Sequence, residues 1–193
     1  MKSDFIIITM NNTWSHLTII TMLVLPMMTS ASDTNPIFSA SLMNDWSLVS
    51  DQVMGGRSSG RFSLKTSQPP PCLHLQGTVT TENNGGFLQI AHNLSDTERF
   101  KVSSAQGIRL LVRGNNETYN VHLRTSDMWL PWQSFRSSFK ASHEWQQLSL
   151  PFDQFNSYKT IKKLNTSKLK RIGIVAIGRD FEADICIAAI EFY

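Results

Sequence analysis

The chain has 193 residues, of which 41% are hydrophobic and 17% are charged, and its formal net charge at neutral pH is +3. These values describe one globular domain with a short appendage and exclude a disordered chain. The mild positive charge permits an anionic partner without requiring one. We expect no nucleic-acid partner and no cofactor.

Residues 1–31 differ in composition from the rest of the chain. An apolar run at residues 17–28 is followed by Thr-Ser-Ala and then by a polar stretch, an order typical of an export signal and its cleavage site. We therefore predict a signal peptide over residues 1–31 and an exported mature chain, periplasmic or secreted. The run is shorter than the roughly 20 residues that span a bilayer, so membrane association would not involve spanning. The alternatives, a retained anchor or a start at Met10, would leave the protein cytoplasmic or membrane-associated.

The stretch SDQVMGGRSSGRF at residues 50–62 contains Gly-x-Ser-x-Gly, the pattern of a serine-hydrolase nucleophile elbow. Such an elbow needs a helix directly after the serine. Here Arg-Phe-Ser-Leu-Lys follows and then three prolines, which do not form that helix. We therefore interpret the match as accidental and Ser58 as a bystander. Since no other catalytic constellation is present, we predict no catalytic residue and a protein that is not an enzyme.

A second pair of glycines follows in ENNGGF at residues 82–87. Paired glycines with neighbouring asparagines permit positive φ and a close approach of two backbones. One interpretation is a pair of hairpin turns. The other is a polar network that holds the two glycine loops together by satisfying buried backbone groups. Its members would be Asp51, Gly55, Gly56, Arg57, Glu82, Asn83, Asn84, Gly85 and Gly86.

From residue 72 onward, apolar residues recur with a period of two, and turn-forming residues separate the runs. Without a long amphipathic helix, this pattern indicates an all-β sandwich or barrel in a single domain. The run at residues 171–178 is apolar on both faces and predicts a central strand. Residues 153–170 predict a long connection, or a short helix, whose lysines form a solvated face.

Both cysteines, Cys72 and Cys186, fall in the predicted mature chain. After export they could form a disulfide, and the equal alternative is two buried thiols. No Cys-x-x-Cys pair occurs, which disfavours a zinc or thioredoxin-type site, and we predict no metal. The histidines of this region stand alone, without metal-ligand spacing: His74, His92, His122 and His143.

Four blocks of the sequence, DQVMGGRSSG, ENNGGF, GIRLLVRGNNETYNVHLRTS and LPFDQF, resemble in this order the complex I intermediate-associated protein 30 family. The resemblance implies a galactose-binding-like jelly roll of two antiparallel sheets over residues 35–193. Members of that family assist the assembly of NADH:ubiquinone oxidoreductase by binding unassembled subunits, without a known reaction. Similar sandwiches serve as carbohydrate-binding modules. An export signal departs from the family, because that assembly takes place in the matrix or cytoplasm.

Candidate binding residues lie on one predicted strand and in the aromatic loop that follows it. Asn120, His122 and Arg124 share one face of YNVHLRT, and Trp129 and Trp132 come directly after. Tryptophan beside arginine suits a protein hot spot or the stacking of a sugar ring, although Trp129 and Trp132 could instead cap the edge of the sandwich. We expect the other two tryptophans of the predicted mature chain, Trp46 and Trp145, in the core. We therefore expect a non-catalytic binding or assembly factor whose partners are protein subunits of a membrane complex. The alternative is an exported carbohydrate-binding module with a glycan ligand.

Overall fold

The regular structure of the described residues consists of eleven β-strands, one short α-helix and four 3-10 turns. The computed structural model describes residues 45–67 and 69–193, so the signal-peptide prediction lies outside the described residues. No helix in the described part is long and apolar enough to cross a bilayer. The elements are β1 Trp46–Ser50, β2 Ser59–Lys65, β3 Cys72–Val79, β4 Phe87–Asn93, α1 Asp96–Val102, β5 Gly107–Gly114, β6 Thr118–Thr125, β7 Ser134–Lys140, β8 Gln146–Pro151, β9 Asn156–Tyr158, β10 Leu169–Ile177 and β11 Phe181–Phe192.

The strands form two antiparallel sheets that face each other. The six-stranded sheet has the order β1-β4-β10-β6-β7-β9, and the five-stranded sheet has the order β2-β3-β11-β5-β8. Neighbouring strands in each sheet are mostly distant in sequence, so the chain crosses repeatedly between the two layers. The predicted all-β jelly roll of two antiparallel sheets is confirmed. β10 lies inside its sheet, between β4 and β6, as its two apolar faces predicted.

The core lies between the sheets and is built from alternate residues of each strand. Leu73, Leu75 and Ile185 project from the five-stranded sheet, and Val121 and Ile174 from the six-stranded sheet, all fully buried. Burying such a side chain contributes roughly 1.5–3 kcal/mol. Since side chains alternate along a strand, each inward residue leaves its neighbours on an outer face.

Tyr119 connects the two sheets at one end of the core. Its hydroxyl accepts a hydrogen bond from the backbone N–H of Asp184 on β11 and donates one to Asn115, at 2.9 and 2.7 Å. Burial raises the pKa of Tyr119 to about 12. Asn116 has a φ of 65° in the tight turn before β6, a conformation that asparagine tolerates. A buried phenol with both hydrogen-bonding roles used therefore fixes β6 against β11.

The helix α1 was not predicted, although the sequence carries its signal. Ser95 and Glu98 form a capping box, in which each side chain bonds the backbone N–H of the other residue. Glu98 also bonds His92 of β4, which stacks on the buried ring of Trp46 at 5.5 Å.

The predicted connection at residues 153–170 is mostly loop, with the short strand β9 and a 3-10 turn at Thr166–Lys168.

Cys72 and Cys186 form a disulfide, with a Cα–Cα distance of 5.4 Å, so the alternative of two buried thiols is wrong. The two residues lie on the outer side of adjacent strands, β3 and β11. The bond closes a segment with a sequence separation of 114 residues. A crosslink of this kind restricts the unfolded chain much more than it restricts two strands that are already paired.

Replacing both cysteines by alanine should lower the free energy of unfolding by about 2–5 kcal/mol, because the unfolded chain regains its freedom. Urea denaturation of the wild type and the variant measures this loss, and a thiol reductant added to the wild type should reproduce it. Two alkylatable thiols in the denatured, unreduced wild type would contradict the assignment.

Candidate binding surface

Two glycine loops meet around the carboxylate of Asp51. Asp51 opens the 3-10 turn Asp51–Met54 and is fully buried. Its carboxylate accepts hydrogen bonds from the backbone N–H groups of Ser58, Gly86 and Phe87, at 2.9, 2.5 and 3.1 Å. The hydroxyl of Ser58 donates a further bond to it. One carboxylate therefore joins the loop between β1 and β2 to the loop between β3 and β4.

Glycine is required in both loops because the carboxylate lies against their backbones. A Cβ atom on Gly56 would lie 2.4 Å from the Asp51 carboxylate, and one on Gly85 would lie 2.6 Å from it. Gly55 and Gly86 have φ angles of 87° and 122°, which side chains rarely permit. Neither loop is a hairpin, since each one connects strands of different sheets.

The other predicted members of the network lie at the surface. Arg57 and Glu82 form an ion pair of 3.0 Å in which both side chains are exposed, so it contributes little to stability. Asn83 and Asn84 have φ angles of 56° and 59° and supply the turn conformation. The structure therefore separates a buried centre at Asp51 from an exposed bridge between the same two loops.

Ser58 is a member of the buried centre, so its interpretation as a bystander is wrong. Its hydroxyl accepts a hydrogen bond from the backbone N–H of Thr80 at 3.0 Å while it donates to Asp51. Ser58 is fully buried, and the strand β2 follows it directly. A nucleophile elbow would instead present an exposed serine before a helix.

The outer face of the six-stranded sheet carries a group of basic side chains. Arg171 on β10 lies opposite Arg124 on β6, and His122 on β6 lies opposite Arg136 on β7. The two pairs are neighbours, because Arg124 and His122 are two residues apart on one strand. The described strands of this sheet place no aspartate or glutamate on the outer face. We call this surface the basic face, defined by Asn120, His122, Arg124, Arg136, Ser138, Tyr158 and Arg171.

Several polar atoms of the basic face have no partner. The Nε2 atom of His122 and the Nε atoms of Arg124 and Arg171 are buried and have no hydrogen-bond partner among the residues that the structure describes. Burial, with a smaller contribution from Arg136, lowers the pKa of His122 to about 3, so its ring is neutral at pH 7. Burial and the charge of Arg171 lower the pKa of Arg124. Like charges directly opposite on neighbouring strands destabilise a sheet, so the facing pair of Arg124 and Arg171 is unfavourable for folding alone.

Other contacts hold the basic face in place. Arg136 lies over the ring of Tyr158, 3.4 Å from its centroid, and its Nε donates to Ser134 at 2.9 Å. The amide oxygen of Asn120 accepts a hydrogen bond from Ser138 at 2.7 Å. These contacts hold the side chains of Arg136, Tyr158 and Asn120 in defined positions.

The loop at residues 126–133 lies beside the basic face, and we call it the tryptophan loop. Arg124 donates a hydrogen bond from Nη2 to the backbone oxygen of Leu130 at 3.1 Å, which ties this loop to β6. The side chain of Trp129 is 90% exposed and that of Trp132 is 48% exposed, so Trp129 does not cap the edge of the sandwich. The structure thus brings Arg124 next to the aromatic loop, with His122 and Asn120 in line along the same strand.

Sequence reasoning missed Arg136, Tyr158 and Arg171, which come from strands far apart in the chain. Trp145, which we expected in the core, is half-buried and lies beneath Arg113, with the guanidinium 5.0 Å from its ring centroid. Among the described residues, no group of three histidine, cysteine or acidic side chains is arranged to hold a metal ion.

Solved structures similar to this chain include carbohydrate-binding modules of Clostridium thermocellum. The family 11 module of the cellulosomal cellulase Lic26A-Cel5E is 11% identical, with a TM-score of 0.66 over 84% of this chain and 96% of that one. A family 11 module in complex with a β-1,3-1,4-mixed-linked tetrasaccharide is 12% identical, with a TM-score of 0.62 over 77% and 88%. A family 30 module of the cellulosomal cellulase Cel9D-Cel44B is 11% identical, with a TM-score of 0.55 over 77% and 91%. These similarities show the fold, a galactose-binding-like jelly-roll β-sandwich.

The sequence itself identifies the family. Residues 37–187 match the family described as complex I intermediate-associated protein 30, which is more than half of the chain. The chain belongs to this family, as the glycine blocks predicted. No curated protein sequence matches it.

Replacing Asp51 by asparagine should lower the free energy of unfolding at pH 7 by about 2–4 kcal/mol, because an amide group then faces backbone donors that need acceptors. Although burial raises the pKa of Asp51, the hydrogen bonds from Gly86, Ser58 and Phe87 lower it further, so the net shift is downward. The stabilisation is present above the unfolded-state pKa near 4 and is lost as the pH falls through the folded-state value.

Urea denaturation of the Asp51→Asn variant between pH 7 and pH 2 checks both expectations. The exposed Asp153→Asn variant is the matched control and should stay within about 0.5 kcal/mol of the wild type. Equal stability of the Asp51→Asn variant and the wild type at pH 7 would show that the carboxylate does not hold the loops.

The protonation of His122 should make the wild type less stable in mild acid. Because the folded-state pKa is about 3 and the unfolded value is 6.5, the unfolded chain takes up the proton first as the pH falls. This group should therefore lower the free energy of unfolding by about 2–3 kcal/mol between pH 6.5 and pH 4.5, at about 1.4 kcal/mol per pH unit.

A His122→Gln variant should lack that part of the pH dependence, whereas a variant of the exposed His143, His143→Gln, should keep it. Denaturant titrations at both pH values measure the difference. Parallel curves for the wild type and the His122→Gln variant would contradict a neutral, buried imidazole.

Proposed function

We propose that this protein is a non-catalytic binding factor that recognises unassembled protein subunits through the tryptophan loop and the basic face. The observation that carries the proposal is the almost fully exposed ring of Trp129, in a loop that Arg124 ties to β6. Exposure of the large apolar indole ring to water is unfavourable in the free protein. A partner that covers the ring therefore gains binding free energy.

The composition of this surface supports a protein partner. Tryptophan, tyrosine and arginine are the residues enriched at binding hot spots, and all three occur here in Trp129, Tyr158 and Arg136. Arg136 stacks on Tyr158, which keeps both side chains ordered in the free protein. Membership in a family described by its association with complex I intermediates supports the same class of partner.

The second candidate is a carbohydrate-binding module. It is favoured by the shared fold, since a related sandwich is known in complex with a mixed-linked tetrasaccharide, and by exposed indole rings, on which sugars stack. A neutral glucan, however, provides no charge to offset the facing guanidinium groups of Arg124 and Arg171. We therefore rank the protein partner first.

Export remains part of the proposal. Disulfides persist in oxidising compartments and are rare in the cytosol, so the bond between Cys72 and Cys186 supports an exported chain. The partner would then be a subunit of a membrane complex that is accessible from that compartment.

The tagged full chain, captured from gently solubilised cells of its source and analysed by mass spectrometry, should recover subunits of a membrane complex. The double variant Trp129→Ala and Trp132→Ala should reduce that recovery by about tenfold or more, since hot-spot truncations cost about 2 kcal/mol or more each. The Phe100→Ala variant is the matched control, because Phe100 is an equally exposed aromatic residue on α1.

A glycan array with the same proteins tests the second candidate. The second candidate would replace the first if the wild type bound neutral glycans, the double variant did not, and no subunits were recovered.

A further inference from the structure

The basic face is charged in a way that the fold does not require. Its two facing pairs, Arg124 with Arg171 and His122 with Arg136, place three guanidinium groups on neighbouring positions. Arg124 and Arg171 are facing like charges, which destabilise a sheet, and the described strands of the six-stranded sheet carry no acidic side chain that offsets them.

The acidic group of the adjacent tryptophan loop does not offset these charges. Asp127, in the tryptophan loop, pairs with Lys162 and Lys168 at 3.6 and 3.3 Å and accepts a hydrogen bond from Thr125. The arginines therefore have no carboxylate partner in the described part of the chain, and one buried Nε each on Arg124 and Arg171 has no acceptor. The Nε2 atom of His122, whose side chain is only 8% exposed, is also without a partner.

We propose that the basic face binds an extended acidic segment of the protein partner, with carboxylates at alternate residues. This inference rests on the proposed function and names the chemistry of the partner. Carboxylates accept the paired N–H bonds of a guanidinium, which is the pairing that arginine forms best.

The spacing of the basic pairs suits an extended chain. Arg124 and His122 are two residues apart on β6. The cross-strand pair of Arg124 and the cross-strand pair of His122 are therefore about 6.6–6.8 Å apart along the strand. Alternate residues of an extended peptide are separated by the same distance and project to one side. A segment lying along the strand direction would therefore place one carboxylate between Arg124 and Arg171 and the next beside Arg136.

The adjacent tryptophan loop gives this segment a direction. Arg124 contacts the loop through Leu130, so a chain that leaves the cross-strand pair of Arg124 next reaches Trp129. We therefore expect an apolar residue of the partner at the end of the acidic stretch, covering the exposed indole ring.

The test uses a fluorescein-labelled peptide of three Glu-Ser repeats followed by leucine, and a matched peptide with glutamine in place of each glutamate. Fluorescence anisotropy with the full chain should show at least about tenfold tighter binding of the glutamate peptide at low salt, with the difference decreasing as salt is added. Equal binding of the two peptides would overturn the proposal.

Variants then locate the site. Combining Arg124→Gln with Arg171→Gln should weaken binding of the glutamate peptide by at least about tenfold, whereas Lys101→Gln with Lys163→Gln, which removes the same charge from exposed lysines elsewhere, should not. Because Arg171→Gln alone removes a facing like charge, this single variant should be folded with at least the wild-type melting temperature and still bind more weakly. Unchanged affinity in the arginine variants would overturn the site.

The outcomes separate this inference from the proposed function. If the Arg124→Gln and Arg171→Gln chain still captures subunits while the tryptophan variant does not, the protein-binding function stands and the acidic segment is wrong. If neither set of variants changes capture, both are wrong. Tighter binding of polygalacturonate than of the peptide, lost in the same arginine variants, would assign the face to an acidic glycan and overturn the acidic segment.

Discussion

A single buried carboxylate holds together two of the loops in which the chain passes between its sheets. The loop from β1 to β2 and the loop from β3 to β4 both cross between layers, and Asp51 accepts hydrogen bonds from both. A buried carboxylate is tolerated only when its oxygen atoms accept hydrogen bonds, and backbone N–H groups of the two loops supply them to Asp51. The glycines follow from this arrangement, since Gly56 and Gly85 lie too close to the carboxylate for a Cβ atom.

Once the loops are fixed, the two faces of the six-stranded sheet take separate roles. Residues such as Val121 and Leu123 bury their side chains against the other sheet and stabilise the fold. Their neighbours on the same strand, His122 and Arg124, are placed by the same backbone but contribute little to the core. An unfavourable group of like charges can therefore persist on the outer face, because the inner face supplies the stability that offsets it.

Periodicity and turn chemistry predicted the sheets, and the glycine blocks predicted the family, because both signals are local. The basic face depends on register, since Arg171 meets Arg124 only after β10 inserts beside β6, and no local pattern reports that pairing. The helix α1 was missed although Ser95 and Glu98 carry its capping signature, because a seven-residue helix has too few turns to show a periodic face. Trp145 was expected in the core, but it is half-buried and lies beneath Arg113.

The fold does not decide between a glycan and a polypeptide, because sandwiches of one architecture carry different side chains on the same outer face. Exposed indole rings serve both kinds of ligand. Charge does separate them: hydroxyl groups of a neutral sugar leave facing guanidinium groups mutually repelled, whereas carboxylates remove the repulsion and fill the unused donors of Arg124 and Arg171. Under the proposed function, the arginines would select an acidic partner, and the exposed tryptophans would add affinity for either kind of ligand.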